Sequence, residues 1–197
     1  MIKIDFSFYI AILLALFLRQ IDIYLTYLIA ILIHECGHLV MATKFGWQIE
    51  EFKISAIGGF LTFKNDLARP IGQSFFVACG GILFNVIFGL ILITFDGPSS
   101  LIYTQFAIAI FNLLPITPLD GSRIVQAVLR HFFHYKTVLN MTKYLNFIFL
   151  TIFILGIIAL KQEQYFIVAL LLAILVGKYK ASAPYLYERY KIQSGRD

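Results

Sequence analysis

The stretch YLTYLIAILIHECGHLVMA, residues 24–42, places two histidines and a glutamate inside a run that is otherwise apolar enough to cross a membrane. An ionisable side chain at membrane depth costs at least about 2.5–3.5 kcal/mol on insertion scales, so such groups usually serve a purpose there. His34 and His38 are four residues apart and therefore share one face of a helix, where both imidazoles can reach the same ion. Glu35 follows His34 directly. This is the H-E-x-x-H pattern, in which two histidines bind a metal and the glutamate deprotonates water.

The pattern has a second interpretation, in which the three side chains make buried hydrogen bonds to neighbouring helices. Cys36 points nearly opposite His34 on a helix and is not expected to be a ligand. The rest of the sequence decides which interpretation is favoured.

The composition is that of a polytopic membrane protein, with 60% hydrophobic and 14% charged residues among 197 and a mean hydropathy of +0.84. At about 17–25 residues per crossing, the apolar runs predict six spans. They lie at about 4–18, 23–43, 73–95, 101–114, 145–160 and 164–177. The first span is expected to be retained, because no small-residue cleavage site follows it. We therefore expect one intramembrane domain over residues 1–197, all-α in fold class, with a tail at about 178–197.

The basic residues predict the orientation of these spans. With six crossings, only Arg19 and Lys161 of the 16 lysines and arginines lie on one side of the membrane. The positive-inside rule then places both termini and the opening of the site in the cytoplasm, in a multi-pass protein of the cell membrane. The net charge of +5 is thus explained by topology and by contact with the lipid bilayer, so nucleic acid is not an expected partner.

A catalytic zinc ion needs a third protein ligand and an open position for water. The segment FNLLPITPLDGSRIV, residues 111–125, offers Asp120 just after two prolines that disrupt the fourth span. Asp120 is expected on the same side of the membrane as the loop that follows His38. It could equally be the N-cap of an amphipathic helix at the interface, and the pattern alone leaves both roles open.

Two further segments are candidates for holding a substrate. The segment FKISAIGGFLTFKN, residues 52–65, predicts a β-hairpin turning at Gly58–Gly59, whose edge could pair with an extended peptide. An ordinary cytosolic hairpin without a substrate role is the alternative. Asn112, one turn before Pro115, could hold a substrate carbonyl or the oxyanion, or could simply tie two helices together.

Together these motifs resemble the site-2 protease family of intramembrane zinc metalloproteases, and most of all its sporulation members. The likeness covers nearly the whole chain and rests on four segments: IHECGH (33–38), IGGF (57–60), ACGG (78–81) and NLLPITPLDG (112–121). The resemblance implies that His34, His38 and Asp120 bind one zinc ion and that Glu35 is the general base.

The resemblance also implies a six-helix membrane fold built around the second to fourth spans, with a membrane re-entrant β-loop at 52–65. Asn112 and Pro115 match positions of the substrate site, to which the loop with Gly58 and Gly59 is expected to contribute. The implied substrate is a membrane-embedded or membrane-tethered protein cleaved near the cytosolic face, and inhibitory membrane proteins are implied partners. In the sporulation members this substrate is a membrane-associated sigma-factor precursor.

The sporulation members continue into a nucleotide-sensing CBS domain that the resemblance does not cover, so regulation by ATP is not carried over. A non-catalytic membrane scaffold and a metal permease are the alternative functions. A permease should place polar groups along a path through several spans, whereas the polar groups of this sequence cluster toward one face.

Overall fold

The computed structural model describes residues 2–56, 58–64, 70–117 and 119–158. In chain order its elements are β1 (Ile2–Ile4), α1 (Phe6–Phe17), α2 (Ile21–Lys44), β2 (Ile49–Ser55), β3 (Gly58–Phe63), α3 (Ile71–Thr94), α4 (Ser99–Leu113), α5 (Asp120–Phe132) and α6 (Tyr135–Ile158). Among these, α2 and α3 are long and apolar enough to cross a membrane by length and composition, and α1 and α4 are shorter apolar helices. The fold is therefore mostly helical, with one small sheet.

The helices follow the predicted spans closely in the middle of the chain and less well at its start. The predicted spans 23–43, 73–95 and 101–114 correspond to α2, α3 and α4. Helix α1 has only 12 residues, or about 18 Å of length, against about 30 Å for a hydrocarbon core. Residues 145–158 of the predicted span 145–160 form the second half of α6, whereas the rest of that span, the span 164–177 and the tail 178–197 lie outside the described residues.

The sheet corrects the all-α expectation. The predicted hairpin is present as β2 and β3, which are antiparallel with Ser55 opposite Gly58. A third strand, β1, pairs in parallel with β2, so that the order is β1-β2-β3. Gly58 has φ +115°, a conformation that side chains with a Cβ rarely adopt, which explains a glycine at the turn. Hydropathy assigned residue 4 to the first span, although Ile2–Ile4 forms strand β1 of the sheet.

Two ion pairs join the start of the chain to the hairpin. Asp5 caps α1 by accepting a hydrogen bond from the Ser7 backbone N–H at 3.0 Å, and Lys53 Nζ lies 2.5 Å from its other carboxylate oxygen. Lys3 similarly pairs with Glu51 at 3.0 Å. The hydrogen bond from Lys53 holds the pKa of Asp5 well below its usual range, so this carboxylate remains charged at neutral and mildly acidic pH.

Helices α2 and α3 pack with their backbones in contact. A Cβ atom on Gly37 would overlap the carbonyl of Gly80, and one on Gly80 would lie 2.6 Å from the Gly37 carbonyl oxygen. Lipid supplies no hydrophobic force between membrane helices, so their association depends on close packing. Small residues at a crossing allow the two backbones to approach closely. This crossing brings the histidine motif of α2 against α3.

The connection from α4 to α5 is short and tied to α6. Helix α4 ends at Leu113, and Asn146 of α6 accepts a hydrogen bond from the Thr117 backbone N–H at 2.8 Å while donating to Thr117 Oγ1 at 3.0 Å. A Cβ on Gly121 would lie 2.5 Å from the Leu114 carbonyl oxygen, so α5 begins directly against the end of α4. These contacts return Asp120 to the interior. The buried apolar cluster beside it comprises Tyr27, Ala30, Ile31, Ile108, Phe111, Ile116 and Leu119.

The Gly37–Gly80 crossing predicts opposite effects for two glycine-to-alanine changes. Gly37→Ala should destabilise the protein by about 1–3 kcal/mol, because the added methyl group forces two backbones apart. Gly72→Ala is the matched control, since Gly72 also lies in a helix but has open space around it. It should be neutral or stabilising by up to about 1 kcal/mol through helix propensity. Thermal unfolding in detergent micelles measures the stability of both variants. Equal stability of the two variants would contradict the close crossing of α2 and α3.

Candidate metal centre

Three ligand-type atoms from two helices meet in the interior. His34 Nε2 lies 2.9 Å and His38 Nε2 3.2 Å from Asp120 Oδ2, and the two Nε2 atoms are 3.1 Å apart. Both histidines belong to α2, whereas Asp120 is the first residue of α5, 86 positions after His34. All three side chains are buried. The pattern on α2 and the break after α4 therefore meet at one point, as the resemblance implied.

The outer nitrogen of each imidazole is held by an acceptor on α3. His34 Nδ1 lies 2.7 Å from Asn85 Oδ1, and His38 Nδ1 lies 2.8 Å from the carbonyl oxygen of Val77. The Asn85 amide is oriented with its oxygen towards His34, because its Nδ2 donates to the Ala30 carbonyl at 2.9 Å and a carbonyl can only accept. Both Nδ1 atoms therefore carry a proton and donate it.

This arrangement leaves three acceptors facing one another. A neutral imidazole protonated at Nδ1 presents a lone pair at Nε2, and the Asp120 carboxylate has no proton to donate. Acceptors within 3.2 Å of each other repel unless a metal ion lies between them or one imidazole takes up a second proton. Ligands at about 2.0–2.1 Å from a tetrahedral zinc ion are about 3.3 Å apart, close to the spacing of these atoms. The residues present thus fit a zinc ion.

Helix α3 supports the centre with residues spaced four apart on one face. Val77 and Asn85 provide the two acceptors, and Gly81 lies between them, where a Cβ would be 2.6 Å from His38 Nε2 and 2.7 Å from His34 Cε1. Glycine at this position gives the two rings the space that they occupy. The face of α3 is therefore part of the site, although none of its side chains is a ligand.

The structure distinguishes between the two roles considered for Asp120, that of a metal ligand and that of a helix N-cap. The N-cap position of α5 is Leu119, which makes no side-chain capping bond, and the Asp120 carboxylate is directed at the histidines. Its place in the first turn of α5 also puts this negative charge at the positive end of the helix dipole. Capping is thus not the role of Asp120.

Glu35 is buried next to the three-atom cluster without belonging to it. A Cβ on Gly59 would lie 3.2 Å from Glu35 Cγ, so strand β3 passes directly over the glutamate. Gly58 packs in the same way against Ile31 of α2. Cys36 is exposed and lies outside the cluster, as expected from its position on the helix. The hairpin tip and Glu35 therefore meet beside the candidate ligands.

Asn112 is buried near the end of α4. Its Nδ2 donates to the Ile108 carbonyl at 3.0 Å, while its buried Oδ1 has no hydrogen-bond partner in the described part of the chain. An amide nitrogen carries two hydrogens, so Asn112 offers both an acceptor and a second donor to a bound group. Pro115 follows the C-cap residue of α4, Leu114, at the turn towards Asp120.

Asn85 and Gln105 were not among the site residues expected from the sequence. Both are fully buried, and Asn85 Nδ2 donates to Gln105 Oε1 at 2.5 Å. The available signal was a polar amide within each of two apolar helices, which membrane helices carry where a hydrogen bond needs them. Only coordinates show which partner each amide reaches.

A comparison with protein families identifies this constellation. The family model of peptidase family M50 matches residues 23–97 and 99–156, which contain both histidines, Glu35 and Asp120. The chain belongs to this family. M50 is the family of the site-2 proteases, so the resemblance inferred from the sequence is confirmed. Membership of this family implies an intramembrane zinc metalloprotease.

Three relatives illustrate the likeness. A zinc metalloprotease of Methanocaldococcus jannaschii is 30% identical over 62% of this chain and 40% of its own length. Stage IV sporulation protein FB of Bacillus subtilis is 28% identical over 50% of this chain and 37% of its own length. The site-2 protease structure from M. jannaschii matches the fold with a TM-score of 0.64 at 21% identity, covering 89% of this chain and 86% of that one. The chain thus matches less than half the length of these curated M50 relatives.

The close contact between Gly81 and the two imidazoles predicts that a single added methyl group at this position weakens metal binding. Gly81→Ala should greatly reduce the zinc content of the purified protein, because the new Cβ occupies the space of both imidazoles. Gly72→Ala is the control, and zinc measured by atomic spectroscopy should equal that of the wild type. Normal zinc content in folded Gly81→Ala would show that this face of α3 does not shape the site.

Proposed function

We propose that this chain is a site-2-type intramembrane zinc endopeptidase that hydrolyses a peptide bond of a membrane-embedded or membrane-tethered protein near the cytosolic face. The observation that carries the proposal is the cluster of three buried ligand-type atoms of His34, His38 and Asp120, whose spacing fits a zinc ion. Membership of family M50 supports hydrolysis as the use of that cation.

Glu35 is the proposed general base. Zinc held by the three ligands would act as a Lewis acid and lower the pKa of water to about 7. Glu35 is buried beside the cluster, where its carboxylate can take a proton from the attacking water and return it to the leaving amine. Burial away from bulk solvent strengthens both electrostatic effects.

The open edge of β3 is the proposed docking site for the substrate backbone. The Lys64 backbone N–H donates to the Gln48 carbonyl at 2.9 Å, so by strand alternation the backbone groups of Gly59, Leu61 and Phe63 face the other edge. Gly59 adjoins Glu35, so an extended peptide paired along this edge would pass beside the base. Pairing also supplies partners for amides that an unwound substrate helix releases within the membrane.

Asn112 and Pro115 are proposed to complete the substrate site. The Oδ1 of Asn112, which has no partner among the described residues, suits a backbone N–H of the substrate, and the second hydrogen of Nδ2 suits a carbonyl oxygen. Pro115 ends the helical hydrogen bonding of α4 and thereby exposes the turn that leads to Asp120. The same proposal extends to Gly58, whose conformation fixes the hairpin turn above Ile31.

The proposed setting is a multi-pass protein of the cell membrane, with six spans, a single domain, and both termini and the active-site opening in the cytoplasm. Two apolar helices, the short apolar helices and the asymmetry of basic residues support it. Candidate substrates to test include membrane-associated sigma-factor precursors, since a sporulation protein is among the relatives. Inhibitory membrane proteins are the proposed regulators.

Glu35→Gln should separate catalysis from metal binding. Removing the carboxylate should lower cleavage of a co-expressed tethered substrate by at least about 100-fold, the usual contribution of a general base. Zinc content should stay close to that of the wild type, because Glu35 is outside the ligand cluster. Glu51→Gln, a change of the same kind at a carboxylate paired with Lys3, is the control and should cleave normally.

Undiminished cleavage by Glu35→Gln would overturn the proteolytic mechanism. Zinc uptake into vesicles by the wild type and by Glu35→Gln, without cleavage by either, would instead identify a permease.

Asn112→Ala should weaken substrate use while leaving the metal centre intact. Loss of one hydrogen bond of about 1–1.5 kcal/mol corresponds to a fall of roughly 5–12-fold in kcat/KM. Thr104→Val, on the same helix and bonded only within it to Ser100, is the control. Equal kcat/KM for Asn112→Ala and the control, at equal zinc content, would exclude Asn112 from the substrate site.

A further inference from the structure

Gln105 is the outermost member of a chain of buried groups that ends at a proposed metal ligand. Its Oε1 accepts a hydrogen bond from Asn85 Nδ2 at 2.5 Å, and Asn85 Oδ1 in turn accepts from His34 Nδ1 at 2.7 Å. The exposed fraction is 0% for both amides and 1% for His34. This series of hydrogen-bonded side chains connects three helices, from α4 through α3 to α2.

The stability of the fold does not explain why a glutamine is present at position 105. Its Nε2 is buried without a hydrogen-bond partner among the described residues, and an unsatisfied buried donor costs about 1–3 kcal/mol. An apolar side chain of similar length would fill the same space without that cost. A glutamine is therefore useful at this position for the one bond that it does make, to Asn85.

That bond fixes the orientation of the Asn85 amide. The two hydrogens of Nδ2 go to two acceptors, the Ala30 carbonyl at 2.9 Å and Gln105 Oε1. A flipped amide would direct its oxygen at both acceptors and its hydrogens at His34. Each acceptor therefore adds to the preference for the orientation in which Asn85 accepts from His34 Nδ1.

We propose that Gln105 is a positioning residue that acts through Asn85 to keep the His34 proton on Nδ1 and the Nε2 lone pair directed at Asp120. The proposal rests on metal binding by His34, which is one part of the proposed function, and it is independent of proteolysis. It adds α4 to the elements that set metal affinity, although the proposed ligands are in α2 and α5 only.

The test compares Gln105→Met, which removes the acceptor, with Gln105→Glu, which retains an oxygen at the same place. Zinc affinity of the full chain is measured in detergent micelles by competition with a chelator. Outer partners of ligating histidines usually contribute 10–100-fold in affinity, so Asn85→Ala should lose about that much. Gln105→Met should lose less, about tenfold, because Ala30 still holds Asn85. Gln105→Glu should recover most of the loss.

Two further measurements distinguish positioning from a general structural role. The thermal midpoint of metal-free Gln105→Met should equal or exceed that of the wild type, because an unpaired buried donor is removed. The ¹⁵N chemical shifts of labelled histidine in metal-free protein should show His34 protonated at Nδ1 in the wild type and a mixture of tautomers in Gln105→Met. Thr104→Val should change neither quantity.

Unchanged zinc affinity and an unchanged His34 tautomer in Gln105→Met would overturn the proposal. A loss of affinity that accompanies an equal loss of metal-free stability would also overturn it. A wild-type chain that binds no zinc would refute the proposed function instead, and so the two failures are distinguishable.

Discussion

The candidate metal centre depends on the contact between the backbones of α2 and α3 at Gly37 and Gly80. Because the helices touch there, the face of α3 reaches the two imidazoles of α2 and supplies an acceptor to each. Any larger residue at the crossing would separate the rings from Val77 and Asn85. The position of the histidines is thus set by residues that have no chemistry of their own.

The buried polar groups around the two histidines are arranged so that their hydrogen bonds orient the imidazole rings. His34, His38 and Asn85 are each buried, and each uses its bonding capacity on a partner from another helix. In an apolar medium such bonds are strong and an unpaired group is costly, so an alternative arrangement of the rings is disfavoured. The same low polarity strengthens the attraction of three converging ligand atoms for a metal ion, so the packing of the helices favours the proposed metal site.

The sequence predicted the parts of this architecture that depend on periodicity. The four-residue spacing of His34 and His38 sufficed to place both rings together, and the prolines before Asp120 indicated the break that returns it. The role of Asp120 stayed open, because a carboxylate that starts a helix is also a good cap, and only its distance to the histidines decided it. Strand β1 and the partners of Asn85 could not be predicted, since they depend on pairing between segments that hydropathy treats as equivalent.

The proposed ligands His34 and Asp120 are 86 residues apart in sequence, and this separation has a consequence for the stability of the fold. An ion that binds only the native arrangement would link α2 to α5. At a free concentration of 100 times its dissociation constant, it would add about 2.7 kcal/mol to the free energy of unfolding. Loss of a bound ion would therefore lower the stability of the fold as well as empty the proposed site. Quality-control proteases would then remove the protein sooner, and its abundance would follow the supply of the metal.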